Sequence, residues 1–209
     1  MSIYQLKPRF QALLRPAVRR LHAAGVTANQ ITLAACVLSV ALGLGLALAP
    51  VPAAFALVPL WMLLRMAFNA MDGMLAREFG QQTPLGAFLN ELTDVLSDAA
   101  LYLPFAGIAP FSPFWIGTLA LLASMSEFAG ALGPSIGASR RYDGPMGKSD
   151  RACLFGALGL WVALDSPLPA WAAGLMPVLA GLVAWTIFNR VRRALAEAAE
   201  DAPKHATKE

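Results

Sequence analysis

From Ile31 to Leu64 the chain carries no charged residue at all. A run of that length exceeds what one bilayer crossing needs, and Pro50 and Pro52 divide it. It commits the chain to two apolar helices joined by a proline turn. The rest of the sequence repeats the pattern. Hydrophobic residues make up 57% of the 209, and charged residues only 14%, well below a soluble domain. The expected fold is all-α: a polytopic membrane bundle of six transmembrane helices preceded by an interfacial amphipathic helix. One bundle fits this length, divided as residues 1–30 (interfacial segment), 31–195 (six-helix domain) and 196–209 (polar tail).

Residues 1–30 hold Lys7, Arg9, Arg15, Arg19 and Arg20 and no acid. Leu6, Phe10, Leu13, Leu14, Ala17, Val18 and Leu21 recur between them at helical spacing. That pattern predicts a helix lying on an anionic membrane surface. Thr27 and Gln30 form a capping box ahead of the first span. The spans are expected at about 31–49, 53–78, 84–107, 113–132, 152–164 and 170–188, the last continuing as a charged helix. Nearly every Lys and Arg falls in the N-terminal arm, the 77–83 turn, the 139–151 loop and the 190–193 segment. The loops near 50, 110 and 166 hold none. By the positive-inside rule both termini and the basic loops face the cytoplasm. Nothing points to nucleic acid. Cys36 and Cys153 lack metal-ligand spacing and read as buried packing residues.

One stretch resists the membrane pattern: NAMDGMLAREFGQQTPLGAFLNELTDVLSD, residues 69–98. Charges in spans are costly and mark function. Asn69 and Asp72 share a face of the second span. Asn90, Glu91, Asp94 and Asp98 fall within a sector of about 100° on the third. Antiparallel packing of the two would gather oxygen ligands for a hard cation, Mg²⁺ or Mn²⁺. The alternative is that these carboxylates pair with Arg65, Arg77 and helix termini.

The segment DGMLAR, then eight residues, then GAFLNELTD resembles the signature of the CDP-alcohol phosphotransferase (CDP-alcohol phosphatidyltransferase) family of membrane enzymes. The family pattern is D-x-x-D-G-x-x-A-R, about eight residues, then G-x-x-x-D-x-x-x-D. Asp72, Gly73, Ala76, Arg77, Gly86 and Asp94 match it. GVTANQIT resembles the family's T-x-N-x-I-T opening, and the likeness covers residues 1–195.

The resemblance implies transfer of a phosphatidyl group from CDP-diacylglycerol to an alcohol, with CMP released, in phospholipid biosynthesis at a bacterial inner membrane. It implies Gly73, Ala76, Arg77 and Gly86 at the CDP moiety, Asp94 as general base, and a homodimer. The GK of GPMGKSDR resembles members that take phosphorylated alcohols. It assigns Arg140, Arg141, Lys148 and Arg151, with Arg190, to an acceptor phosphate; ordinary positive-inside charge explains them equally well.

The departures are Asn69 and Asn90, where the family has aspartates. Three outcomes follow. Asn69 and Asn90 serve as neutral ligands beside Asp72 and Asp94, around one or two ions. Glu91 or Asp98 substitutes. Or the chain is a catalytically impaired or repurposed CDP-lipid-binding protein. A shifted register, with Asp94 and Asp98 as the last family pair, conflicts with Gly86. Glu127, in the fourth span, either faces the acceptor cavity or pairs with Arg65. A transporter would also bury charge, but no internal repeat is evident.

Overall fold

The computed structural model describes residues 6–165 and 167–206, with side chains described for 9–165 and 167–200. Residues 1–5 of the expected interfacial segment and 207–209 of the expected tail lie outside the described residues. Within them there are seven α-helices and no strand.

The first helix, α1 (Leu6–Ala23), runs unbroken through Pro16. Val18, with Leu14 and Leu21 beside it, packs on Met74 and Leu75, while Leu13 is left exposed. Part of the expected membrane-facing stripe is therefore spent on the protein itself.

The second helix, α2 (Ala28–Leu48), starts at the expected box. The Thr27 hydroxyl accepts from Gln30 N at 3.2 Å, and Gln30 Oε1 accepts from Thr27 N at 2.9 Å. Pro52–Ala56 forms a 3₁₀ turn leading into α3 (Leu57–Glu78). Gly80, with φ 66°, reverses the chain in a left-handed conformation that suits glycine. Next, α4 (Pro84–Tyr102) is capped by the Thr83 hydroxyl, which accepts from Gly86 N at 2.9 Å. The residues to Gly107 continue as 3₁₀ turn, not α-helix, because Pro104 has no N–H to donate.

Two further helices follow, α5 (Pro113–Ala131) and α6 (Lys148–Leu164). The latter opens four residues earlier than expected, because Asp150 Oδ2 accepts from Gly147 N at 2.9 Å and closes the first turn. The last, α7 (Leu175–Ala206), follows a 3₁₀ turn over Ala170–Gly174.

Four of these segments are long and apolar enough to cross a membrane: Ala28–Leu48, Pro52–Glu78, Pro113–Ala131 and Ala170–Glu200. The expected third and fifth spans fall short on composition or length. Glu91, Asp94 and Asp98 lie on α4, and α6 has only 17 residues.

Helix α2 packs against both α3 and α4, whose backbones hardly approach one another. The expected meeting of those two helices is made by side chains, Arg65 and Asn69 reaching Asp94, within a three-helix arrangement. That arrangement depends on Gly43, since a Cβ there would overlap the carbonyl of Ala100. The apolar part of the interior is built around Phe55, Tyr102, Phe105, Phe155 and Met176, all fully buried. Cys36 is buried as expected, but Cys153 is exposed on α6.

Candidate active site

Two cavities open at the end of the bundle where α3 ends and α4 and α6 begin. The first, about 580 Å³, lies among the start of α2, the end of α3, the 81–83 turn and the start of α4. Asp72, Gly73, Ala76, Arg77, Gly86, Asn90 and Glu91 all line it. A Cβ on Gly86 would lie 2.8 Å from Asn29 Oδ1, and one on Gly73 2.7 Å from the Arg77 guanidinium. Both glycines therefore keep the cavity wall open. Asp72 is buried, and its Oδ2 accepts from the Thr32 hydroxyl at 2.8 Å. Asn29 and Thr32 line this cavity too. Sequence reasoning missed them, although they stand inside the GVTANQIT segment it had singled out.

The second cavity, about 370 Å³, is lined by Asn90, Asp94, Glu127, Arg140, Lys148 and Arg190, among others. Asn90 borders both cavities. Asp72 and Glu91 are the carboxylates of the first cavity, Asp94, Glu127 and Asp150 those of the second.

Behind them runs a chain of alternating charges contributed by five helices. Lys148 pairs with Asp94 Oδ2. Arg65 reaches Asp94 Oδ1 at 3.3 Å and Asp98 Oδ1 at 2.5 Å. Arg151 bonds Asp98 at 3.3 Å and Glu127 at 2.8 Å. Arg190 stands 3.5 Å from Glu127 and donates to the carbonyl of Ser126. Arg65, Asp98, Arg151, Glu127 and Arg190 are all buried. Such pairs specify geometry more than they stabilise, but removing one partner strands a charge.

This network redistributes the expected site residues. Asp98 lines neither cavity and is held by Arg65 and Arg151. Arg151 likewise lines neither cavity, its guanidinium being used by Asp98, Glu127, Ser126 and the carbonyl of Met146. Arg141 also lies off the second cavity, paired with Asp143 at 2.8 Å and with Glu197. Arg140, Lys148 and Arg190 remain in it. Glu91 pairs with Arg140. Glu127 faces the second cavity, and it is paired with Arg151 and Arg190 and not with Arg65. Arg77 pairs with no carboxylate among the described residues; Glu78 instead meets Arg15 at 2.9 Å. Asn69 lines neither cavity, and its amide donates to Asp94 Oδ1 at 3.4 Å.

The 139–147 loop is pinned to α7. Asp143 meets Arg193 at 2.8 Å, and Glu197 accepts from Ser139 N at 2.9 Å. Partial burial works against ionisation of Asp143, but hydrogen bonding and charge from Arg141, with Arg193, hold its carboxyl below the ordinary range. Glu197 is likewise lowered, chiefly by its hydrogen bonds from Ser139.

The donor set suits a hard cation. Asp72 supplies a carboxylate, Asn90 an amide oxygen in the same cavity, and Asn69 another one helical turn away. Among the described residues no three carboxylate, histidine or cysteine ligands gather, and Asp94 is already engaged by Lys148, Arg65 and Asn69.

Residues 25–186 match the CDP-alcohol phosphatidyltransferase family. The chain is 48% identical over 200 residues to the inner membrane protein YnbA of Escherichia coli K12, covering 96% of this chain and all of that one. In fold it is similar to the Mycobacterium tuberculosis phosphatidylinositol phosphate synthase PgsA1, solved with CDP-DAG bound. That match has a TM-score of 0.70 at 23% identity, over 86% of this chain and 92% of the other. A second structure of PgsA1, with manganese and citrate, matches at the same TM-score of 0.70 and 23% identity, over 86% of this chain and 88% of that one. This chain belongs to the CDP-alcohol phosphatidyltransferase family.

Proposed function

We propose that this chain is a six-span inner-membrane enzyme that moves a phosphatidyl group from CDP-diacylglycerol to an alcohol and releases CMP. The observation that carries this reading is the meeting of two cavities at Asn90. One is walled by the signature residues, the other by Asp94 and three cations. A donor and an acceptor held there would face each other across one residue, which is the positioning an in-line displacement needs.

In the first cavity Gly73, Ala76 and Gly86 leave room for a nucleotide against the helix backbones. The Arg77 fork suits its phosphates or base. In the second, Arg140, Lys148 and Arg190 suit the phosphate of a phosphorylated alcohol. The acceptor oxygen attacks the phosphatidyl phosphorus and a P–O bond forms. The P–O bond to CMP breaks, and CMP leaves with the electron pair. Asp94 takes the hydroxyl proton, while Arg65 and Asn69 keep its carboxylate oriented. A bound Mg²⁺ or Mn²⁺ would neutralise the pyrophosphate.

Six spans are supported by the outer faces of the two helices that composition left out. Leu85, Phe88, Leu92 and Leu96 are exposed along one side of α4, opposite its acids, and Leu160 and Leu164 on α6. Apolar faces of this kind need lipid or protein cover. Both basic loops and the two cavities then lie on the cytoplasmic side with the termini. The segment 31–195 forms the embedded domain, 1–30 lies at the interface, and 196–209 projects beyond it. The family resemblance implies a homodimer.

The second reading, a CDP-lipid-binding protein without turnover, is motivated by Asn69, Asn90 and the full pairing of Asp94. CMP release from CDP-diacylglycerol, measured on purified protein against phosphorylated and free alcohols, separates the two. Acceptor-dependent release supports the transferase. Lipid binding with no release across the panel supports the binding protein.

A further inference from the structure

A site with aspartates at positions 69, 72, 90 and 94 would offer four negative charges, enough to balance two divalent cations. Here Asn69 and Asn90 leave only Asp72 and Asp94. Of these, Asp94 carries an ammonium: Lys148 sits on its Oδ2, at the N-terminus of α6. Its Oδ1 is taken by Arg65 and by the Asn69 amide, at 3.3 and 3.4 Å. With that amide nitrogen turned to Asp94, the Asn69 oxygen is free for another partner. Asp72 differs: its side-chain partner among the described residues is the neutral Thr32 hydroxyl, and it faces the first cavity. One carboxylate is thus open to a metal ion and the other is already neutralised. A second divalent ion would have to displace Lys148 and Arg65 from Asp94, with two charges fewer to attract it.

We propose, resting on the transferase reading, that the site takes one divalent cation on Asp72, with Asn69 and Asn90 as neutral oxygen donors. The Lys148 ammonium at Asp94 supplies the second positive charge. Two added carboxylates would need a second ion, and a second ion would compete with the lysine. Lys148 also lines the second cavity, so this fixed cation faces both Asp94 and the acceptor.

The test is a Mn²⁺ titration of the purified full chain in detergent, with bound ion and spin coupling read by electron paramagnetic resonance. One Mn²⁺ per chain with the spectrum of an isolated ion is expected, and Asp72→Asn should abolish it. The triple variant Asn69→Asp/Asn90→Asp/Lys148→Met should take two ions with a spin-coupled spectrum. Two coupled ions in the unaltered chain would overturn the proposal. So would none at millimolar Mn²⁺, or binding that survives Asp72→Asn. The unaltered chain alone decides the ion count, even if the triple variant fails to elute as a single species. CMP release on the same preparation tests the transferase reading separately, and its absence would remove that reading without altering the count.

Discussion

Glu127→Gln is the sharpest perturbation of the buried charge chain. The Glu127 side chain is 9% exposed, and its two close guanidiniums, Arg151 at 2.8 Å and Arg190 at 3.5 Å, are 1% and 2% exposed. Gln keeps the shape and a hydrogen-bond acceptor but removes the charge. Arg151 would retain Asp98 at 3.3 Å. Arg190 would retain only the carbonyls of Ser126 and Asp143. A buried guanidinium without a counter-ion costs about 3–5 kcal/mol, and the retained hydrogen bond argues for the lower end. For a chain of this size each kcal/mol moves the unfolding midpoint by about 2–4 °C, so a loss of about 6–12 °C is expected. Tryptophan fluorescence during heating in detergent reads it. Adding Arg190→Met to Glu127→Gln removes the stranded cation and should recover part of the loss. A midpoint within about 2 °C of the parent in the single variant would refute the reasoning. So would a double variant whose losses simply add.

Other outcomes follow from the same geometry. Gly86→Val should weaken CDP-diacylglycerol binding at least tenfold, because its first carbon already lies 2.8 Å from Asn29 Oδ1; equilibrium binding of the labelled lipid reads this. Gly43→Leu should cost about 1–3 kcal/mol or prevent folding, by driving α2 off the Ala100 carbonyl; the unfolding midpoint reports it. The lowered carboxyls of Asp143 and Glu197 fix a pH sign. A folded-state pKa below the unfolded one gives stabilisation that is present above the unfolded value and lost as pH falls through the folded one. Amide-exchange protection of residues 138–147 should therefore hold constant from pH 8 to 6 and fall only below about pH 4, where unfolded carboxylates titrate.

Local features of the fold were legible in the sequence, and long-range ones were not. The start of α2 could be read from Thr27 and Gln30 because a capping box is complete within four residues. The start of α6 was misplaced to Ala152 because its charged first turn, Lys148 to Arg151, looked like loop. That turn is helical because Asp150 caps it and Arg151 is drawn inside by Asp98 and Glu127. The packing of α2 against both α3 and α4 depends on helix order, which no local pattern encodes. At the site, the family signature grouped Asp72, Gly73, Ala76, Arg77 and Gly86, and the fold brings them to one wall. Spacing also put Asp98 beside Asp94 on one face of α4. It could not reveal that Arg65 and Arg151, arriving from α3 and α6, would claim Asp98 for the interior. Arg65 was foreseen as a carboxylate partner, whereas Arg77, named with it, pairs with none among the described residues.

The central claim is chemical transfer at Asp94 between a CDP-lipid cavity and a phosphate-selecting one. The most direct measurement is mass analysis of the lipid formed when the purified chain, CDP-diacylglycerol, Mn²⁺ and a phosphorylated or free alcohol are incubated together. The account predicts a phosphatidyl product carrying a phosphorylated acceptor, matched in amount by CMP and absent in Asp94→Asn. Equal product in Asp94→Asn, or products formed only from unphosphorylated alcohols, would contradict it.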